Sequence, residues 1–155
     1  MTEQNTNADL ERAAQRVATS FAEQAAMQTL GATVLVPKIG EVEVELPFSE
    51  AFTQQHGFVH GGIIATVLDS ACGYAALTTF PSDTAVLTVE YKINLVRPAR
   101  GNRFVARGRV VRTGRTLTLT TGDVTAYDES GVESGIIAVM QATMMTIADR
   151  PELRN

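Results

Sequence analysis

The stretch His56-Gly57-Phe58-Val59-His60-Gly61-Gly62-Ile63-Ile64-Ala65-Thr66-Val67-Leu68-Asp69 reads as an exposed, glycine-rich turn running into a helix. That helix is apolar on nearly every side, through Ile63, Ile64, Ala65, Val67, Leu68, Ala71, Cys72, Tyr74, Ala75, Ala76 and Leu77. Between Ala51 and Ser82 only Asp69 carries a formal charge. Removing a carboxylate from water costs several kcal/mol unless it is paired or hydrogen-bonded, and chemistry at that carboxylate would account for its presence. At the front of the helix Gly61-Gly62 stands where Ser, Thr, Asp or Asn usually caps. A helix start leaves about four N–H groups without intrahelical partners, and bare glycines let a ligand oxygen approach them. Gly61 and Asp69 are eight positions apart, which is roughly 12 Å along a helix axis. One reacting carbonyl cannot touch both. Two such helices lying antiparallel about a twofold axis would bring each Asp69 to the other chain's Gly61 and Gly62, so an obligate dimer is expected.

The whole chain sets the frame for this helix. Its 155 residues suit one domain, and 45% hydrophobic with 19% charged residues is the composition of a globular protein without a membrane span. A net charge of −4 argues against nucleic acid as a partner. The single cysteine, Cys72, excludes an internal disulfide and reads as a small core residue. The N-terminus lacks the basic and apolar regions of a secretory signal, so a cytoplasmic location is expected. Residues 1–7 read as a disordered tail, 8–150 as a single domain and 151–155 as a polar C-terminal tail.

In chain order, the spacing Leu10, Ala13/Ala14, Val17, Phe21, Ala25 predicts one surface helix from Ala8 to about Leu30, stopped by Gly31. Two short strands follow around a turn at Lys38 to Gly40. Val42, Val44 and Leu46 alternate with Glu41, Glu43 and Glu45, marking a strand with one solvated face. Pro47 to Phe58 is a loop in which Gln54, Gln55 and His56 are binding candidates. The long helix ends near Thr79, before Pro81-Ser82-Asp83. Four strands then follow. Ala85, Leu87, Val89, Tyr91, Ile93 and Leu95 form the apolar parity of the first, with Thr88 on the opposite one. Arg103 to Arg112 is the second, with Arg103, Arg107 and Arg109 opposite Phe104, Ala106 and Val110. Thr116 to Tyr127 is the third, with a bulge expected near Thr121-Gly122 where its apolar parity shifts. Ile136 to Ile147, apolar almost throughout, reads as a strand buried on both faces. A sheet of this length with one very apolar helix to cover most economically wraps around that helix.

At His60-Gly61-Gly62, seven residues ahead of Asp69, and at Val96-Arg97-Pro98-Ala99-Arg100-Gly101, the sequence resembles the hotdog-fold thioesterases of the phenylacetic-acid-degradation type. The resemblance covers roughly Gly31 to Ile147. It implies an α+β hotdog fold, a curved antiparallel sheet around a long central helix, here with an additional N-terminal helix. It also implies dimers that pair into tetramers, and hydrolysis of acyl-coenzyme A thioesters with no cofactor beyond the coenzyme A of the substrate and no metal. Asp69 then matches the family's catalytic carboxylate, acting as general base or nucleophile, and Gly61 matches the glycine whose N–H polarises the thioester carbonyl. His60 is an orienting neighbour, and Gln54 falls at the Asn/Gln position that holds the carbonyl or the water. Thr88 matches a Ser/Thr that positions water in some members. Gly62, Arg97 and Arg115 are candidates for contacts to coenzyme A, since guanidinium groups match phosphate geometry.

Other chemistries find little support. There is no Gly-x-Ser-x-Gly elbow, no Cys/His pair at metal spacing, no P-loop and no dinucleotide fingerprint. Two alternatives stay open at this level. One is a hotdog hydratase or dehydratase, which needs a His with a carboxylate at another spacing. The other is a non-catalytic acyl-CoA-binding module.

Overall fold

The computed structural model describes residues 3–148. Helices α1 (Glu3–Glu23) and α2 (Ala25–Leu30) lead into strands β1 (Thr33–Lys38) and β2 (Glu41–Pro47). A single 3-10 turn, Glu50–Phe52, precedes helix α3 (Gly61–Leu77), and strands β3 (Ala85–Leu95), β4 (Arg103–Thr113), β5 (Leu117–Tyr127) and β6 (Glu133–Ile147) follow. The six strands form one antiparallel sheet in the order β1-β2-β4-β5-β6-β3. The chain therefore returns from α3 to the far edge of the sheet, where β3 has a strand neighbour on one side only. None of the described helices is long and apolar enough to cross a membrane.

Helix α3 packs against β2, β3, β4, β5 and β6, and the sheet curves around it. Inward residues of alternating strands supply the wall: Val42, Val44 and Leu46 from β2, Phe104 and Ala106 from β4, Val124 and Ala126 from β5. At the centre the helix backbone lies on the sheet backbone. Gly108 and Gly122 pair across β4 and β5. A Cβ on Gly108 would stand 2.3 Å from the carbonyl of Ala71, and one on Gly122 would stand 2.8 Å from Leu68 Cδ1 and 3.0 Å from Cys72 Sγ. Cys72 is fully buried there, as expected of a core residue, and burial pushes its thiol up to about 12, far from thiolate chemistry. The C-terminal end of α3 is held by Arg16 of α1, which donates to the carbonyls of Leu77, Phe80 and Thr84.

The outer face of β2 and β4 is an ion-pair ladder. Glu41 meets Arg109 at 3.1 Å, Glu43 meets Arg107 at 2.8 Å and Glu45 meets Arg103 at 2.8 Å. These groups are partly exposed, so each pair contributes about 0–1 kcal/mol. The acidic row and the arginine parity of the sequence thus answer one another.

Four expectations are corrected. Helix begins at Glu3, so the tail expected to be disordered through Asn7 is helical from that residue onward. Once a helix is nucleated each further residue costs little, and Asn7 Nδ2 donates to Glu11 Oε1 at 3.3 Å. Met1, Thr2 and the expected polar tail 151–155 lie outside the described residues. The single helix expected to Leu30 breaks at Gln24 (ψ 100°), which turns Met27 and Leu30 into the core in place of Ala25, while Gly31 (φ 65°) ends α2 as expected. Strand β5 has no bulge at Thr121-Gly122. Its inward face is Thr118, Thr120, Gly122, Val124 and Ala126, with Leu117 turned outward. Threonine is β-branched like valine and packs as well, and Thr120 Oγ1 meets its hydrogen-bonding need at Ala142 O, 3.2 Å away. Strand β6 is buried on one face only: Ala138, Met140, Ala142 and Met144 point in, whereas Val139 and Gln141 are exposed.

Two substitutions test this packing by urea unfolding. Gly108→Ala is expected to lower stability by about 3 kcal/mol, because the new methyl must displace helix backbone. Thr118 Oγ1 is buried without a hydrogen-bond partner among the described residues, so Thr118→Val is expected to raise stability by about 1 kcal/mol.

Candidate active site

The donor end of the site is built by two loops clamped together. The carbonyl of Ala99, in the Arg97-Pro98-Ala99 turn, accepts the Val59 N–H at 3.1 Å, and Phe52 O accepts the His60 N–H at 2.9 Å. This fixes the entry into α3. His60 is the N-cap, and its Nδ1 accepts the Gly62 N–H at 2.9 Å. The helix start is thus not bare, as the sequence reading had it: imidazole does the work of a capping hydroxyl and occupies the Gly62 donor. The Gly61 N–H keeps no acceptor among the described residues. Leu95 Cδ1 leans over Gly61, 2.4 Å from where a Cβ would stand, so a side chain there would have to push the Leu95 side chain aside. In the preceding loop the Gln54 side-chain oxygen accepts the His56 N–H. That bond commits the amide oxygen of Gln54 and leaves its NH2 as the group able to donate. Gln54, Gly61 and Arg97 all line one cavity of about 440 Å3, floored by Ile64, Leu95 and Ile137.

The acid end lies two turns along α3. The strip Thr66, Asp69, Ser70 is the part of the helix that its own sheet leaves uncovered. Thr88 Oγ1 donates to Asp69 Oδ1 at 2.8 Å. That contact corrects the parity expected for Thr88. The β3–β6 register shifts between Thr88 and Glu90, so Val89 is an extra residue and the strand changes face there. Val86 and Thr88 point toward the helix before the bulge; after it Tyr91, Ile93 and Leu95 do, opposite the buried Ala142, Met140 and Ala138. Burial raises the Asp69 carboxyl above the ordinary range, and the Thr88 hydrogen bond pulls it partly back. A cavity of about 300 Å3 beside it is lined by Gln24, Met27, Thr66, Tyr74, Val86 and Thr88 among others. Gln24, Met27 and Tyr74 escaped the sequence reading, and the break between α1 and α2 that brings them here has no Gly or Pro to announce it.

Within one chain the structure gathers the candidates into two groups. Gln54, His60, Gly61, Gly62 and Arg97 stand at the N-terminal end of α3, and Asp69 with Thr88 stands on its side. Arg115 joins neither group. It is exposed in the β4–β5 turn, next to Thr113, whose hydroxyl meets Thr79 beyond the opposite end of α3. His56 is exposed, with its ring beside Gln55.

A curved six-stranded antiparallel sheet closed around one helix, with an open amide at the helix start and a carboxylate on its side, is the hotdog arrangement. The thioesterase superfamily matches residues 56–133, which include every member of both groups except Gln54. An esterase-like protein of Halobacterium salinarum is 31% identical over 150 residues, covering 93% of this chain and 99% of its own. Human acyl-coenzyme A thioesterase 13 is 33% identical over 100 residues, 63% of this chain and 71% of its own. A thioesterase family protein from Silicibacter pomeroyi superposes with a TM-score of 0.84 at 50% identity, covering 88% of this chain and 98% of that one. The PaaI protein of E. coli, from the phenylacetic acid degradation operon, shares the fold with a TM-score of 0.78 at 17% identity, covering 90% and 96%. The chain belongs to the thioesterase superfamily and is a thioester hydrolase.

Thr88→Val removes the one side-chain hydrogen bond that lowers the Asp69 carboxyl. A carboxyl-resolved NMR titration is expected to show Asp69 releasing its proton at higher pH in the variant than in the parent; an unmoved midpoint would contradict the contact.

Proposed function

We propose that the protein hydrolyses acyl-coenzyme A thioesters at two equivalent sites, each completed across a twofold interface. The observation that carries this reading is the separation of the two groups. The unpaired Gly61 N–H and the Asp69 carboxylate sit on one rigid helix, eight residues apart, so roughly 12 Å along its axis lies between them. A second chain laid antiparallel beside α3 brings the donor of one to the acid of the other. The edge strand β3 supports that pairing, because it has a free hydrogen-bonding side and exposes Leu87, Val89, Tyr91 and Leu95. The names of relatives such as acyl-coenzyme A thioesterase 13 support the substrate class.

In this reading the thioester carbonyl oxygen accepts from the Gly61 N–H and the Gln54 amide of one chain. Donors fixed before reaction stabilise the charge that develops on that oxygen, an effect typically worth about 3–4 kcal/mol per donor. Asp69 of the facing chain, held in place by Thr88, takes a proton from water as that water attacks, or attacks the carbonyl itself. Collapse breaks the C–S bond. In the general-base route the thiolate takes up the proton held by Asp69 as coenzyme A leaves. In the nucleophilic route the thiolate takes a proton from water, and a second water hydrolyses the acyl–Asp69 anhydride to free acid and regenerated carboxylate. His60 contributes by capping the helix start and so fixing the Gly61 amide; its nitrogen is engaged with Gly62, which disfavours a histidine-based hydration chemistry. Arg97 lines the Gly61 cavity and donates from Nη1 to Ser134 O at 3.2 Å; its exposed guanidinium supports a contact to the phosphates of coenzyme A in this reading. Arg115 has no part in this scheme within its own chain.

Asp69→Asn is expected to reduce thiol release from acyl-CoA by roughly 10²- to 10⁴-fold while leaving the dimer and substrate binding intact. Retention of near-parental turnover would refute the assignment. Shared sites are tested by mixing chains: Asp69→Asn and Gly61→Val chains, each inactive alone, are expected to regain about a quarter of parental activity when randomly reassociated, one sound site in each mixed dimer. No recovery in dimers shown by mass spectrometry to be mixed would place both groups of a site in one chain.

A further inference from the structure

We infer that the acyl group occupies the cavity between α3, β3 and the α1–α2 junction, and that Gly73 and the Gln24–Tyr74 pair set the length of acyl group accepted. This rests on the reading of Asp69 as the catalytic carboxylate. Gly73 lies one turn beyond Asp69 on the same helix face and lines the same cavity. Glycine in a helix interior costs about 1 kcal/mol relative to alanine, so its presence calls for a reason. Gly61, Gly108 and Gly122 have one in the atoms pressed against them; a Cβ on Gly73 would meet nothing within 4 Å, and its φ is ordinary. What the missing side chain leaves at Gly73 is open volume beside the carboxylate.

The walls of that volume are mixed, with Met27, the Tyr74 ring and Val86 as apolar patches beside the polar Thr66, Ser70 and Thr88. The end is polar. Gln24 Nε2 donates to Tyr74 Oη at 2.8 Å, and Tyr74 Oη lies 3.2 Å from Ser20 Oγ. Tyr74 and Ser20 are buried, and Phe21 backs the tyrosine ring at 5.8 Å between centroids. A hydrocarbon chain driven past this point would separate the hydrogen-bonded Gln24 and Tyr74 and leave the buried Tyr74 hydroxyl against hydrocarbon, which is unfavourable. The Gln24–Tyr74 pair therefore narrows the pocket at this end. The pocket volume of about 300 Å3 is at the small end of the roughly 300–1,000 Å3 range of small-ligand cavities, so it suits a short chain or a single ring and not a long fatty acyl group.

The test is a panel of acetyl-, butyryl-, hexanoyl-, phenylacetyl-, decanoyl- and palmitoyl-CoA, read as kcat/KM on the intact enzyme. The parent is expected to prefer the butyryl to hexanoyl and phenylacetyl range, with a fall of at least about tenfold by palmitoyl. Gly73→Leu is expected to cut hexanoyl and phenylacetyl turnover at least about tenfold while acetyl stays within about threefold. Gly73→Ala shifts the profile in the same direction by less, and Gln24→Ala, which opens the end wall, raises decanoyl relative to hexanoyl. If Gly73→Leu does not fold, the Ala pair decides the matter. A parent that prefers palmitoyl, or folded variants whose profile matches the parent's, would overturn the inference and leave the assignment of Asp69 standing. A parent inert toward every acyl-CoA would instead remove the functional reading and this inference with it.

Discussion

The backbone of α3 touches the backbone of the sheet at Gly108, with the side chains of Leu68 and Cys72 pressed onto Gly122 beside it, and most of what the molecule does depends on that approach. Any side chain at either position would lift the helix and open the core on both sides of it. Because the contact is made in the middle of α3, the two ends and the outer strip of the helix are left for other tasks. The C-terminal end is tied down by Arg16 and the N-terminal end by His60. Between these anchors the strip carrying Thr66, Asp69 and Gly73 cannot be reached by the helix's own sheet except at its edge, where Thr88 meets the carboxylate.

A carboxylate in such a place is expensive, and the molecule contains that cost in two ways. One side of Asp69 stays open to a cavity, and the other is served by a single hydroxyl from the edge strand. The donor end follows a different logic. Gly62 is satisfied by an internal cap, which leaves one amide, that of Gly61, as the unspent group of the helix start, with the Gln54 amide oriented by its neighbour His56. The two polar groups stand at separate cavities, and neither reaches the other within its own chain.

The sequence displays the architecture through period-two alternation in β2 and β4 and through the apolar run of α3, because burial on one face leaves a direct mark on residue choice. The residues Gly61 and Asp69 are visible for the same reason: a charge or a bare glycine in apolar surroundings is conspicuous. The misread elements are those where polarity and burial part company. Thr118 and Thr120 face the core and Leu117 faces out, so hydropathy assigns β5 a bulge it does not have. In β3 a real bulge at Val89 is hidden, since Leu87, Val89 and Tyr91 form an unbroken apolar series that spans a change of face. The acyl-side wall is equally silent: the bend at Gln24 is fixed by a tertiary hydrogen bond to Tyr74, fifty residues away, and local propensity holds no trace of it.

That hidden bulge makes β3 two half-strands of opposite phase. Its first half delivers a hydroxyl to the acid, and its second half delivers Leu95 to the space beneath the donor glycine. The phase slip uncouples them. Thr88 and Glu90 face Met144 and Thr143, which are themselves adjacent, so losing the extra residue Val89 would leave Thr88 on the carboxylate, whereas losing a paired residue beside it would shift one half of the strand out of phase. A one-residue deletion at this edge is thus a different kind of event from any substitution there, acting on the frame in which side chains are presented and not on their chemistry.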